Sequence, residues 1–163
     1  MADRAADNYA VIDSPAGRLF IRTDDQYLNG IEFVDGRRPL SKPTSPLSIE
    51  VVRQLQAYFR DPGFQFQLPI RLDGSEHQQR VWAVLQTIKP GLTMTYGQVA
   101  SRIGSGARAV GNSCRSNPVP IVVPCHRVVA AAGVGGYGGH TGGKVLARKE
   151  WLLKHEGSYP AVA

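Results

Sequence analysis

From Phe64 to Leu72 the apolar side chains fall on every second residue (Phe64, Phe66, Leu68, Ile70, Leu72), and at Asp73-Gly74 that period stops and helical spacing takes over. A period of two suits a strand with one buried face, whereas a period of 3.6 suits a helix, so one element cannot carry both. The chain is therefore expected to divide here, into an N-terminal domain over residues 1–72 and a C-terminal domain over residues 73–163. Upstream, β-type runs at 10–13, 19–23 and 28–34 are separated by Ser14-Pro15-Ala16-Gly17 and Asp24-Asp25, the turn chemistry of an antiparallel meander. Residues 49–60 place Ile49, Val52, Leu55, Gln56 and Phe59 on a helical stripe that Asp61-Pro62-Gly63 stops. Residues 64–72 form a strand that Pro69 confines to a sheet edge. The N-terminal domain thus reads as α/β, with a small antiparallel sheet and a helix.

Downstream the pattern is mainly α. Ser75 caps a helix running to about Lys89, with Val81, Leu85 and Ile88 at helical spacing and Pro90-Gly91 as its end. Two short helices over 96–103 and 107–116 are joined by Gly104-Ser105-Gly106, the spacing of a helix-turn-helix. On the second of these, Val110 and Cys114 share a core face while Arg108, Asn112 and Arg115 share another; small residues (Ala107, Ala109, Gly111, Ser113) keep it slim enough for a groove. A last helix over 144–155, with Leu146, Leu152 and Leu153 inward and a basic exposed face, stops at Glu156-Gly157.

The charge follows the same division. Residues 1–72 carry nine Lys/Arg and nine Asp/Glu, whereas residues 77–149 carry nine Lys/Arg and no acidic residue at all. Such a segment presents positive potential without local compensation, which points to a polyanionic partner. The longest apolar runs, as at 128–132, fall far short of the roughly 20 residues a membrane span needs. The N-terminus lacks a basic start followed by an apolar stretch, so a cytoplasmic chain, or a nuclear one in a eukaryote, is expected, with Cys114 and Cys125 as free thiols.

The chemistry concentrates at Cys125-His126. Asn117-Pro118 ends the second short helix, and Pro120 and Pro124 stiffen an extended approach to the cysteine. A thiol attacks only as thiolate, and a neighbouring imidazole can take its proton directly or through water. Seven glycines within 133–143, around Tyr137 and His140, make a loop that flexes or lets a ligand touch backbone. Cys114, Cys125, His126, His140 and His155 show no C-x-x-C or H-x-x-x-H spacing, so no metal site is expected.

Pro124-Cys125-His126-Arg127-Val128-Val129 resembles the active-site motif of the O6-alkylguanine-DNA alkyltransferases. Val81-Trp82, Thr95-Tyr96-Gly97, Arg108-Ala109-Val110-Gly111, Asn117-Pro118, Gly136-Tyr137-Gly138-Gly139 and residues 151–157 stand in that family's order. The resemblance implies a ribonuclease H-like N-terminal domain and a C-terminal domain that binds DNA and accepts the alkyl group. It implies Cys125 as acceptor, His126 as base through a water, Glu156 orienting that imidazole, and Asn117 bracing the turn before the cysteine. Tyr96 would contact the target base and Arg108 would fill the space of a flipped nucleotide. Ala107, Asn112, Arg115 and Cys114 would lie at the DNA, while Val128, Tyr137 and Gly138 would line the pocket.

The implied activity is irreversible, single-turnover transfer from O6-alkylguanine, and from O4-alkylthymine, in duplex DNA approached through the minor groove. No cofactor is implied, and the protein is expected to be a monomer able to cluster along DNA. Against the family's pattern the Gly104-Ser105-Gly106 turn is about two residues short, and His77 stands where an aromatic is common. Two other readings fit parts of the pattern: a module that binds alkylated bases without reacting, and a cysteine hydrolase or thiol redox enzyme.

Overall fold

A computed structural model describes residues 7–135 and 143–158, and the chain divides into two units, Met1–Leu72 and Asp73–Ala163. In the first, strands β1 (Asn8–Ile12), β2 (Arg18–Thr23) and β3 (Leu28–Val34) form an antiparallel meander in the order β1-β2-β3. Leu19 and Ile21 of β2 alternate with exposed or half-buried neighbours and lie fully inside, as the pleat requires. Helix α1 (Pro46–Arg60) begins at a capping box in which the Ser45 and Ser48 side chains each take the other's backbone N–H. It covers the sheet with Val51, Val52, Leu55 and Tyr58.

Two expectations for this unit need correction. The buried face of α1 is rotated from the stripe read in the sequence: Ile49 is 51% exposed and Gln56 is exposed, while Val51 and Tyr58 are inside. Tyr58 sets that rotation by packing against Phe59 and Phe66, with ring centroids 5.3 and 5.5 Å away. Residues 64–72 keep their period of two, even positions half-buried and odd positions exposed, yet they form only a single bridge, Leu28 to Ile70. Pro69 has no N–H to give, and the buried Gln54 side chain takes both the N–H (2.9 Å) and the carbonyl (3.1 Å) of Gln67, so no ladder can extend.

The second unit is mainly helical. Helix α2 (Glu76–Leu85) starts at a capping box between Ser75 and Gln78 and is shorter than the run to Lys89 read in the sequence. Thr87 and Ile88 instead bond three residues back, and the Thr87 hydroxyl donates to the Val84 carbonyl at 2.6 Å, closing a tight turn before Pro90. Strand β4 (Met94–Thr95) leads into α3 (Tyr96–Ile103), capped by Thr95 and Gln98, and α4 (Ala107–Arg115) follows after the Gly104-Ser105-Gly106 turn. A short 3-10 turn (Cys125–Arg127) precedes β5 (Val128–Val129), which pairs in parallel with β4. Helix α5 (Gly143–His155) closes the described chain. Trp82 of α2 is 1% exposed and donates its indole N–H to the Ser113 carbonyl at 2.8 Å, tying α2 to α4.

The exposed basic face expected of the last helix is interrupted, because Lys149 is fully buried beside Leu152 and Leu153. The small residues of α4 also serve inward contacts: Ser113 is buried against α2, and Gly111 faces the Tyr96 ring, so only part of that slim surface is left outward. Among the described residues no helix is long and apolar enough to cross a membrane.

Candidate active site

Cys125 is delivered by a stiff, mostly buried approach that is not the extended run read in the sequence, because the Val123 N–H turns back to the Val119 carbonyl at 2.9 Å. The Asn117 amide donates to the Val123 carbonyl at 2.8 Å, and its oxygen accepts the Val119 N–H at 2.9 Å, so one side chain spans the turn that leaves α4. Within that turn Ile121 has φ 75, a conformation costly for a β-branched residue and held by full burial of Val119, Ile121 and Val123. The Cys125 N–H closes back on the Val123 carbonyl at 2.9 Å. Cys125 itself is 7% exposed.

The next two side chains of the 3-10 turn meet one carboxylate. His126 Nε2 lies 2.8 Å from Glu156 Oε2, and Arg127 grips both oxygens, Nε to Oε1 at 2.8 Å and Nη2 to Oε2 at 2.9 Å. Arg127 Nη1 also donates to the Ile88 carbonyl at 2.6 Å. The Glu156 backbone sits at the end of α5, where Ser158 N–H bonds the Leu153 carbonyl, Gly157 N–H bonds Lys154, and Gly157 has φ 77. That is a Schellman ending, which needs a glycine at the left-handed position and fixes where the carboxylate stands.

Burial alone would raise the Glu156 carboxyl, but the hydrogen bonds from His126 and Arg127 outweigh it and hold it well below the usual carboxylate range. Glu156 is therefore ionised, and it fixes the His126 proton on Nε2. Burial pushes the His126 ring below its ordinary value of 6.5, with Arg127 and Lys149 acting in the same direction and Glu156 opposing them. The ring is thus neutral near pH 7, and its buried Nδ1 has no hydrogen-bond partner among the described residues. An unpaired lone pair in that position is a proton acceptor lacking only a water or a donor.

A pH dependence follows. The unfolded chain protonates the ring near 6.5 and the folded chain only at lower pH, so the neutral ring and its contribution to stability persist above 6.5 and are lost as pH falls through the folded value. Single-turnover transfer rates are expected to show an acid limb with its midpoint below 6.5. A midpoint above that value would contradict a neutral, buried base.

On the other side of Cys125, Lys149 Nζ donates to the Val128 carbonyl at 2.7 Å and lies 3.5 Å from the Tyr96 hydroxyl. Burial lowers the Lys149 pKa to about 8, while the Cys125 and Cys114 thiolates would raise it. The same coupling read in reverse means that Lys149, when charged, favours a thiolate at Cys125. Burial pushes Tyr96 up to about 12 and Cys114 up to about 12, so both keep their protons near neutrality. Gly135 has φ 78, and a Cβ there would stand 3.1 Å from the Tyr96 ring, so this position and the ring are matched.

On α4, Ala107, Arg108, Asn112 and Arg115 are exposed, and Cys114 is half-buried. Val128 is fully buried, with its carbonyl engaged by Lys149. Tyr137, Gly138 and His140 lie outside the described residues. His155 stacks on Trp151 with ring centroids 4.9 Å apart. Among the described residues no group of three or more His, Cys, Asp or Glu stands where it could hold a metal ion.

The reading from residues alone missed Arg127 and Lys149. Arg127 carries no spacing signal, since its partner is 29 residues away. Lys149 carries one: it lies three and four residues before Leu152 and Leu153, on the apolar stripe of α5.

Residues 76–158 match the family described as 6-O-methylguanine DNA methyltransferase, DNA binding domain, and residues 8–72 match its ribonuclease-like domain. A methylated-DNA--protein-cysteine methyltransferase of Mus musculus is 38% identical over 96% of this chain and 84% of its own length. One from Mycolicibacterium paratuberculosis is 42% identical over 91% of each chain. The structure of Mycobacterium tuberculosis OGT in complex with DNA is similar with a TM-score of 0.77 and 39% identity over 92% of each chain. With both of its units matched and relatives of this identity along nearly its whole length, the chain belongs to the methylated-DNA--protein-cysteine methyltransferase family.

Proposed function

We propose that this protein repairs duplex DNA by moving the alkyl group of O6-alkylguanine, and of O4-alkylthymine, onto Sγ of Cys125, once per molecule. The observation that carries the reading is the His126 ring: Nε2 on an ionised carboxylate, and a buried Nδ1 with no hydrogen-bond partner among the described residues. A water between Cys125 and Nδ1 passes the thiol proton to the ring, while the Lys149 charge favours the thiolate. The sulfur attacks the alkyl carbon, the bond from that carbon to O6 breaks, and the released guanine takes up a proton. Tyr96, protonated up to about 12, is a donor within this wall of the site. The product is a thioether, which water does not hydrolyse, so Cys125 is spent.

A guanine stacked in a duplex cannot present its O6 substituent to a nearly buried thiol, so the nucleotide must leave the helix, at a cost of a few kcal/mol. The exposed face of α4 supports this step: Ala107 and Asn112 are compact enough to lie at the minor groove, Arg115 reaches phosphate, and Arg108 occupies the vacated stack. Residues 73–163 are then the DNA-binding and alkyl-acceptor domain, with residues 1–72 a separate ribonuclease H-like domain.

The test is a single-turnover assay with a duplex containing one O6-methylguanine and, in parallel, with free O6-benzylguanine. Wild type is expected to react with both. Arg108→Ala is expected to slow duplex repair about 100-fold, the share of a few kcal/mol that flipping costs, and to affect the free base far less. Equal losses on both substrates refute the flipping role, and no methyl removal from the duplex refutes the function.

A further inference from the structure

The turn between α3 and α4 is tied by its own backbone at one end only, where the Gly104 and Ser105 N–H groups both bond the Ala100 carbonyl. Gly104 ends α3 in the left-handed conformation (φ 64), and Gly106 begins α4 with no side-chain cap. Two glycines around one serine leave the angle between the helices soft, at the point where the pose of the DNA-facing helix is decided.

Side-chain contacts from α2 supply the rest of the hold. His77 places Nε2 2.8 Å from the Ser105 hydroxyl in the turn and Nδ1 3.0 Å from the Ser113 hydroxyl on α4. One helical turn further, Arg80 donates to the Ile103 carbonyl at 2.8 Å, at the last residue of α3. Trp82 holds the Ser113 carbonyl from the same helix. Thus α2 grips the end of α3, the turn and the middle of α4, and His77 touches both the turn and α4. Because a serine hydroxyl both donates and accepts, both contacts are satisfied whichever ring nitrogen carries the proton. Ser113 is 3% exposed, so its hydroxyl depends on this partner.

We infer that His77 is a positioning residue for DNA recognition: by bridging Ser105 and Ser113 it locks the short glycine turn and sets the pose in which α4 presents Arg108, Asn112 and Arg115 to the duplex. The inference rests on the alkyl-transfer reading above and deepens it, since it separates the residue that aims the helix from those that touch DNA or alkyl group.

The experiment measures the half-saturating duplex concentration and limiting rate of single-turnover transfer, the rate on free O6-benzylguanine, and the melting temperature. The variants are His77→Phe, His77→Gln, Ser105→Ala and the double change H77F/S105A. His77→Phe is expected to raise half-saturation about tenfold while the limiting rate and the free-base rate shift by less than about twofold. His77→Gln, which keeps a donor and an acceptor, is expected to restore half-saturation to within about threefold of wild type. Ser105→Ala should weaken duplex use in the same way, and adding it to His77→Phe should cost nothing further, because the two share one contact. An unchanged half-saturation in His77→Phe, equal losses on both substrates, or additive effects in the double variant each overturn the inference. Failure of wild type to transfer at all would instead sink the underlying function.

Discussion

Replacing Glu156 by Gln is expected to lower transfer from duplex DNA about 10³- to 10⁴-fold, the scale found when a buried carboxylate that fixes a catalytic imidazole becomes an amide. In this protein the carboxylate fixes the His126 proton on Nε2 and leaves Nδ1 free to accept. An amide at 156 turns a donor toward either His126 or Arg127, both of which already donate there. The Arg127 guanidinium, 8% exposed and gripping both oxygens, is left without its counter-charge. Breaking one half of a buried pair costs about 3–5 kcal/mol, so a large fall in denaturant midpoint should accompany the loss of rate. The sign with pH is fixed too: the folded carboxyl titrates below its ordinary 4.5, so its stabilisation is present above that pH and is lost as pH falls through the folded value. E156Q should lack that acid loss, seen by urea unfolding across the acid range. Wild-type stability and rate in E156Q would remove Glu156 from the relay.

Replacing Cys125 by Ser is expected to abolish transfer altogether while leaving the duplex bound. The serine hydroxyl titrates far above any thiol, and a neutral imidazole that makes a thiolate makes no useful concentration of alkoxide. The Asn117 bridge, the Ile121 turn and the exposed face of α4 do not involve the sulfur, so the fold and that exposed face remain. Fluorescence anisotropy with a duplex containing O6-methylguanine should give an affinity within about threefold of wild type, since no phosphate contact is removed. Residual methyl transfer by Cys125→Ser would mean that another side chain is the acceptor, and the half-buried Cys114 would be the first to examine. A protein that only binds alkylated bases would show no difference between wild type and the serine variant.

Much of this was legible in the residues. The capping signal at Ser75 and the glycine punctuation at 104–106 fix local structure through interactions a few residues long, and those elements begin where the pattern puts them. The run at 119–124 reaches Cys125 as expected but through a turn, not extended, because the Val123 N–H bonds back to the Val119 carbonyl. The extended run at 64–72 was misread because its alternation describes burial, which is present, whereas a strand also needs a partner for its backbone. Gln54, 13 residues earlier, takes that place, and side-chain capture of backbone at such separation leaves no periodic mark. The face of α1 was misread for a related reason: Tyr58 goes inside to meet Phe66, a contact no helical stripe announces. In the site, motif position marks Cys125, His126 and Glu156, and the apolar stripe of α5 marks Lys149 as buried, but the ion pair of Arg127 across 29 residues is a product of packing alone.

The central claim is that one sulfur ends the reaction carrying the alkyl group. Intact-protein mass spectrometry after incubation with excess duplex containing O6-methylguanine, followed by peptide mapping, tests it directly. One added methyl per protein molecule, on the peptide holding Cys125, with no further DNA repaired once the protein is consumed, is the predicted result. Unmodified protein after complete repair, or a methyl found on any other residue, would contradict it.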